Sequence, residues 1–153
     1  MAEGSGYPGV ILSIDGSIPT DQRAYGVGGS LALTKSFDPA VLFLNVGYRH
    51  FFNSQSYGPA RLTADEQFNT TAGIAYALND TLTLSTSLSG VFFSRSHLQE
   101  GFTLPAREFY SLQFGLTSYL TKGLFVEPFV NFGLNGDSSD VTIGLNLPYT
   151  FDL

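Results

Sequence analysis

Val141-Thr-Ile-Gly-Leu-Asn-Leu-Pro-Tyr-Thr-Phe151 alternates without a break. Val141, Ile143, Leu145, Leu147, Tyr149 and Phe151 fall on one side. Thr142, Gly144, Asn146, Pro148 and Thr150 fall on the other. A period of two is the period of a strand. The apolar side ends in aromatics, and the opposite side is small, polar and uncharged. Such a strand suits a wall with lipid outside and a polar or packed interior.

Seven further alternating segments precede it, each bounded by turn residues. They span Gly9 to Ile18, Tyr25 to Thr34, Val41 to Phe51, Gln67 to Leu78, Leu82 to Phe93, Phe109 to Leu120 and Leu124 to Leu134. The connections after the second, fourth and sixth are short: Lys35-Ser-Phe-Asp-Pro39, Asn79-Asp-Thr81 and Thr121-Lys-Gly123. Those after the third and fifth are long, Phe52 to Glu66 and Ser94 to Glu108. Short turns at one end and long loops at the other are the habit of outer-membrane barrels. The expected fold is all-β: a single eight-stranded antiparallel up-and-down transmembrane β-barrel over residues 1–153, with residues 1–8 a flexible N-terminal segment.

Composition agrees. Charged residues make up 13% of the 153, about half the usual ~25%, while Phe and Tyr number 14 and 8. Inside the eight expected strands only Asp15, Arg49 and Glu127 are charged, all on the polar side. Aromatics crowd the ends of the apolar side. Tyr25, Tyr48, Phe68, Phe92, Tyr110 and Phe132 lie toward the loops, and Tyr76, Tyr149 and Phe151 toward the turns. Rings of this kind settle at headgroup level, so two membrane girdles are expected. A soluble, lipocalin-like barrel binding a small molecule shows the same alternation turned inside out. Its polar side would meet water and carry many Lys and Glu. Here that side is Gly28, Ser30, Asn45, Gly73, Ser85, Ser87 and their like.

Other classes are disfavoured by what the chain lacks. There is no Cys, hence no disulfide, thiolate metal site or Cys nucleophile. A net charge of −6 disfavours nucleic acid as a partner. No apolar run is long enough for a membrane helix. Met1 to Gly6 has no signal-peptide pattern, so a mature or trimmed barrel is expected. His50 and His97 have no His, Cys or carboxylate at ligand spacing, so neither a metal nor any other cofactor is expected. Gly26-Val-Gly-Gly29 lacks the dinucleotide fingerprint, and no Gly-x-Ser-x-Gly elbow exists. No enzyme activity is expected. The partners expected are a lipid bilayer and a small apolar solute.

Ile18-Pro-Thr20, Leu33-Thr-Lys-Ser-Phe-Asp-Pro-Ala-Val-Leu-Phe43 and Asn45-Val-Gly-Tyr48 resemble the outer-membrane barrels of the meta-pathway phenol-degradation type. Tyr76-Ala-Leu-Asn-Asp-Thr-Leu-Thr-Leu84 and Gly144-Leu-Asn-Leu-Pro-Tyr-Thr-Phe151 fit the same pattern. A barrel that exports amyloid subunits is similar. The resemblance implies a bacterial outer-membrane location and a transporter-like pore for small apolar or aromatic solutes. The family's chains are longer, with about twelve strands, and this sequence matches the last two-thirds. It also runs on to Asp152-Leu153 past the aromatic that usually ends such chains. A short natural relative, a shortened chain and a redesigned barrel all fit those departures.

Asp15, Arg49 and Glu127 are the candidate site. Buried charges in a narrow lumen must be paired, and the three are expected to meet at one level. They would form either a polar constriction or a structural cluster. Phe43, Phe93, Phe109, Phe125 and Phe129 are expected to fill much of an eight-stranded interior. Gly26, Gly28, Gly47, Gly73 and Gly115 argue for some free volume. The rival to a pore is a non-conducting structural barrel.

Overall fold

The computed structural model describes residues 6–18, 25–52, 55–57, 60–62, 66–97, 103–121 and 123–150. The strands are β1 (Gly9–Ser17), β2 (Tyr25–Phe37), β3 (Ala40–Phe52), β4 (Gln55–Tyr57), β5 (Ala60–Leu62), β6 (Glu66–Asn79), β7 (Leu82–Phe93), β8 (Ser96–His97), β9 (Thr103–Leu104), β10 (Arg107–Thr121), β11 (Leu124–Gly133) and β12 (Val141–Asn146). Eight of them form one antiparallel up-and-down sheet in the order β1-β2-β3-β6-β7-β10-β11-β12. The hairpins β4–β5 and β8–β9 stand apart in the two long connections, where the sequence pattern shows only loops. Among the described residues there is no helix.

The sheet is open. β1 pairs only with β2, and β12 only with β11. The terminal strand is also shorter than its alternation implies. The regular ladder stops at Asn146, and Leu147 to Thr150 follow β11 through isolated contacts. Phe125 N–H donates to the Pro148 carbonyl at 3.0 Å and Thr150 N–H to the Gly123 carbonyl at 2.8 Å. Pro148 has no N–H to give, which helps end the ladder there.

Turn chemistry sets the hairpins. Asn79 Oδ1 accepts from both the N–H and the hydroxyl of Thr81 at 2.9 Å, the local bond that makes Asn a turn residue. Gly123 takes φ 78° between β10 and β11, a left-handed conformation that glycine adopts without a Cβ penalty.

Register then sorts the side chains. Directly paired residues share a face, so Val10, Leu33, Leu44, Ala72, Leu88, Leu112, Phe132 and Val141 form one apolar row across the sheet. Most exposed large apolar side chains lie on this face, Leu44, Leu84, Leu88, Phe114, Phe132 and Ile143 among them. Ile11 and Tyr119 are exposed on the other. The polar face is the sheltered one: Asn45, Thr71, Ser85, Ser87, Ser89, Ser111 and Gln113 are all half-buried. No large side chain among the described residues is fully buried.

Several strands run longer than the alternation suggests and take in further charges. Lys35, Glu66, Arg107 and Glu108 join Asp15, Arg49 and Glu127 inside the sheet. Lys35, Glu66 and Glu108 stand on the apolar face, opposite Leu42, His50 and Phe92. All three sit within a turn's reach of a strand end, where a long polar side chain can snorkel to water.

Candidate functional site

Near the loop end, Asp15, Gly28, Arg49, Gln67, Phe93 and Arg107 form one row on the polar face. Arg49 Nη2 donates to Asp15 Oδ2 in an ion pair that bridges β3 and β1 across β2. Gly28 makes this reach possible. A Cβ there would sit 3.0 Å from Asp15 Oδ1 and 3.3 Å from Arg49 Cβ. Arg49 Nε is buried with no hydrogen-bond partner among the described residues. Farther along the row, the Arg107 guanidinium lies over the Phe93 ring at 5.9 Å. Phe93 meets Phe109 edge to face at 6.0 Å.

Glu127 is elsewhere. It faces Asn146 in register and accepts from Thr117 Oγ1 at 3.3 Å. The row of Arg49 crosses β10 at Arg107, whereas Glu127 sits beside Thr117. Those positions are about ten residues apart, roughly 33 Å along a strand. The expected trio therefore resolves into an ion pair at the loop end and a lone carboxylate near the turns. Alternation alone gave the shared face but not the register, and register is what separates them.

The expected lumen aromatics Phe43, Phe93, Phe109, Phe125 and Phe129 all lie half-buried on the polar face. Phe43 lies across Gly73, and Phe129 across Gly144 on the adjacent strand. Asn69 covers Gly47 in the same way. Gly47, Gly73 and Gly144 are thus seats for neighbouring side chains. Thr71 and Ser89 hydroxyls add a cross-strand hydrogen bond at 3.1 Å.

The expected girdle residues Tyr25, Tyr48, Phe68, Tyr76, Phe92, Tyr110, Phe132 and Tyr149 are all exposed. Tyr48, Phe68 and Phe92 stand in one row. Phe151 lies outside the described residues. The sequence reading missed a cap on the loop side, where the segment after β11 folds back on β10. Asn135 Oδ1 and Ser138 Oγ both accept from Tyr110 N–H, at 3.1 and 3.0 Å. Asn and Ser are residues that satisfy backbone groups locally, but their target is distant in sequence.

Replacing Arg49 by Leu leaves Asp15 without its cation. Both side chains keep more than a third of their surface exposed, 37% and 47%, so the expected loss is about 1 kcal/mol. That is well below the 3–5 kcal/mol of a fully buried pair. A urea midpoint in lipid vesicles that falls by that amount, and an Asp15→Asn/Arg49→Leu double variant that falls no further, would establish the coupling.

No group of three or more His, Cys, Asp or Glu side chains among the described residues could hold a metal. No known family model matches the chain.

Proposed function

We propose that β1 and β12 close on each other and that the chain spans a bacterial outer membrane as an eight-stranded barrel. It would be of the transporter-like type, with a narrow lumen filled by its own side chains. The observation that carries this reading is the inversion of the faces, with the apolar face exposed and the polar face sheltered. A soluble domain shelters the apolar face. Contiguous exposed apolar surface far beyond a few hundred Å² marks a partner or a lipid phase.

Other features support it. Six strands of the sheet have 10 to 15 residues, and about 9–11 residues cross a bilayer. With eight strands in up-and-down order, β1 and β12 run antiparallel and can form one further ladder. In hydrocarbon only a closed sheet satisfies its backbone groups. The solute class, small and apolar or aromatic, rests on the resemblance of the chain to the phenol-degradation barrels.

The seating of Phe43 on Gly73 and of Phe129 on Gly144 favours a second reading, a barrel that does not conduct at all. Planar-bilayer recording separates the two. The pore reading expects brief, small openings from the parent and larger discrete steps from a Phe43→Ala/Phe129→Ala variant. Silence from both, with insertion verified by heat-modifiable gel mobility, would leave the structural barrel. A chain that is folded and monodisperse in plain buffer would overturn the membrane reading itself.

A further inference from the structure

On the polar face Gly115 pairs directly with Ser85 of β7 and Phe129 of β11. Gln113 and Thr117 stand two residues to either side of it, and Glu127 faces Asn146 one row nearer the turns. The Phe129 ring leans away from Gly115 and covers Gly144 instead. Gly115 is therefore left bare. A Cβ added there would meet Ser85 Oγ at 2.8 Å and then nothing nearer than Phe129 Cβ at 3.9 Å. The space above it is a polar hollow of about 70 Å³, lined on that face by Ser85, Gln113, Thr117, Glu127, Phe129 and Asn146.

Pro128 interrupts the ladder here. Pairing of β10 with β11 runs from Ser111↔Gly133 to Gly115↔Phe129 and resumes at Ser118↔Val126. The N–H groups of Phe125 and Gly133 point to the β12 side, toward the carbonyls of Pro148 and Asp140. Directions alternate along a strand, so an N–H at position 128 would point at β10, toward the Leu116 carbonyl. Proline has none to put there. Thr117 and Glu127 lie in the resulting break.

The hollow's chemistry is that of an acceptor. Ser85, Gln113, Thr117, Glu127 and Asn146 each bring a side-chain oxygen to it. Glu127 accepts from the Thr117 hydroxyl at 3.3 Å. Among the described residues no Lys, Arg or His lies within ion-pair distance of it. The other charges of this face within the sheet, Asp15, Arg49 and Arg107, stand at the loop end. A half-buried carboxylate favours a cation beside it. Calcium takes six or more oxygens, commonly from several carboxylates, and one carboxylate answers half its charge. A primary ammonium carries one charge and three N–H donors. It matches one carboxylate with amide and hydroxyl oxygens around it, and the Phe129 ring walls its stem. We infer that the hollow over Gly115 binds a small protonated primary amine, with the ammonium on Glu127 and a short alkyl stem along Phe129. The site lies wholly on the polar face. It uses only residues of β7, β10, β11 and β12, and its place in a lumen rests on the membrane reading.

The test is saturation-transfer NMR on the full chain in phosphatidylcholine vesicles, with insertion first verified by heat-modifiable mobility. Saturating the aromatic protons leaves the lipid untouched. The probes are ethylammonium, ethanol and acetate at neutral pH. Transfer to the ethylammonium methyl should exceed transfer to the ethanol and acetate methyls about fivefold. Glu127→Gln, which keeps the size and removes the charge, should bring it down to the ethanol level. Gly115→Val fills the hollow and should do the same; should that variant fail to insert, Glu127→Gln decides alone. Asp38→Asn removes an exposed carboxylate between β2 and β3 and should leave the transfer unchanged. Equal transfer in parent and Glu127→Gln, equal transfer to ethylammonium and ethanol, or an equal loss in Asp38→Asn would overturn the site. A parent that folds in plain buffer and does not insert overturns the membrane reading instead, and the same measurement on that chain still decides the site.

Discussion

In the proposed barrel, Phe114→Arg should lower the stability of the chain in lipid vesicles by about 2–4 kcal/mol, the cost of an arginine on the lipid face near the midplane. Phe114 stands on β10 in the row of Leu42, Ile74, Thr86, Val130 and Ile143. Its ring is 43% exposed and meets Phe132 edge to face at 6.3 Å. If that surface faced water, the charge would be solvated and the change would stay near the ±0.5 kcal/mol typical of surface sites, plus a small loss of ring contact. The two settings therefore differ severalfold on one variant. Leu145→Arg, on β12 and 59% exposed, should behave alike, and Asp140→Arg beyond the strands should be neutral. Equilibrium unfolding in urea with vesicles gives all three. A Phe114→Arg midpoint equal to that of Asp140→Arg would sink the lipid-facing assignment.

The second large effect is on the opposite face. Gly144→Ala drives a methyl group into the Phe129 ring, and its three nearest neighbours all belong to that one side chain. Overpacking of this kind costs about 1–3 kcal/mol. Gly73→Ala should cost more. Its added Cβ meets the Phe43 ring and also the Thr86 carbonyl oxygen at 2.6 Å and Ser87 Cβ at 2.8 Å. A ring tip can swing aside, but a backbone carbonyl held in a ladder cannot. Double-mutant cycles distinguish the two cases. The penalty of Gly144→Ala should vanish in a Phe129→Ala background. That of Gly73→Ala should persist in a Phe43→Ala background. Additive costs in the first cycle would mean that Phe129 does not rest on Gly144.

The strand pattern was legible because it rests on a period of two, which the sequence displays directly. Val141 to Asn146 shows this most plainly, with every odd residue apolar and every even one small or polar. The same pattern placed Asp15, Arg49, Glu127, Phe43, Phe93, Phe109, Phe125 and Phe129 on one face. What alternation does not contain is register. Whether Arg49 meets Asp15 or Glu127 depends on how six ladders stack between β1 and β11, and a shift of two residues preserves every face while changing every neighbour. The glycines of the polar face show the same limit. Gly73 reads as space until its partner across the ladder is known to be Phe43. Strand ends were hidden for a different reason. Lys35, Glu66 and Glu108 break the polarity pattern, yet their backbones still pair. Pro128 sits mid-strand, where its missing N–H matters only because a particular carbonyl faces it.

Every ladder of the sheet joins strands that succeed one another in the up-and-down order. Each hairpin can therefore form early and independently, on the microsecond scale of local pairing. In the proposed barrel, the one pairing that spans the whole chain would be the closure of β1 on β12. Holding the ends of so long a loop together costs about 4 kcal/mol in chain entropy. A single exposed backbone group in hydrocarbon costs several kcal/mol, and two open edges expose many. In the proposed barrel, entry into the bilayer and closure of the ring would then be one kinetic event. The slow step of its assembly would be a seam that zips as it leaves water, with its rate set by how quickly two ends of one polypeptide find each other.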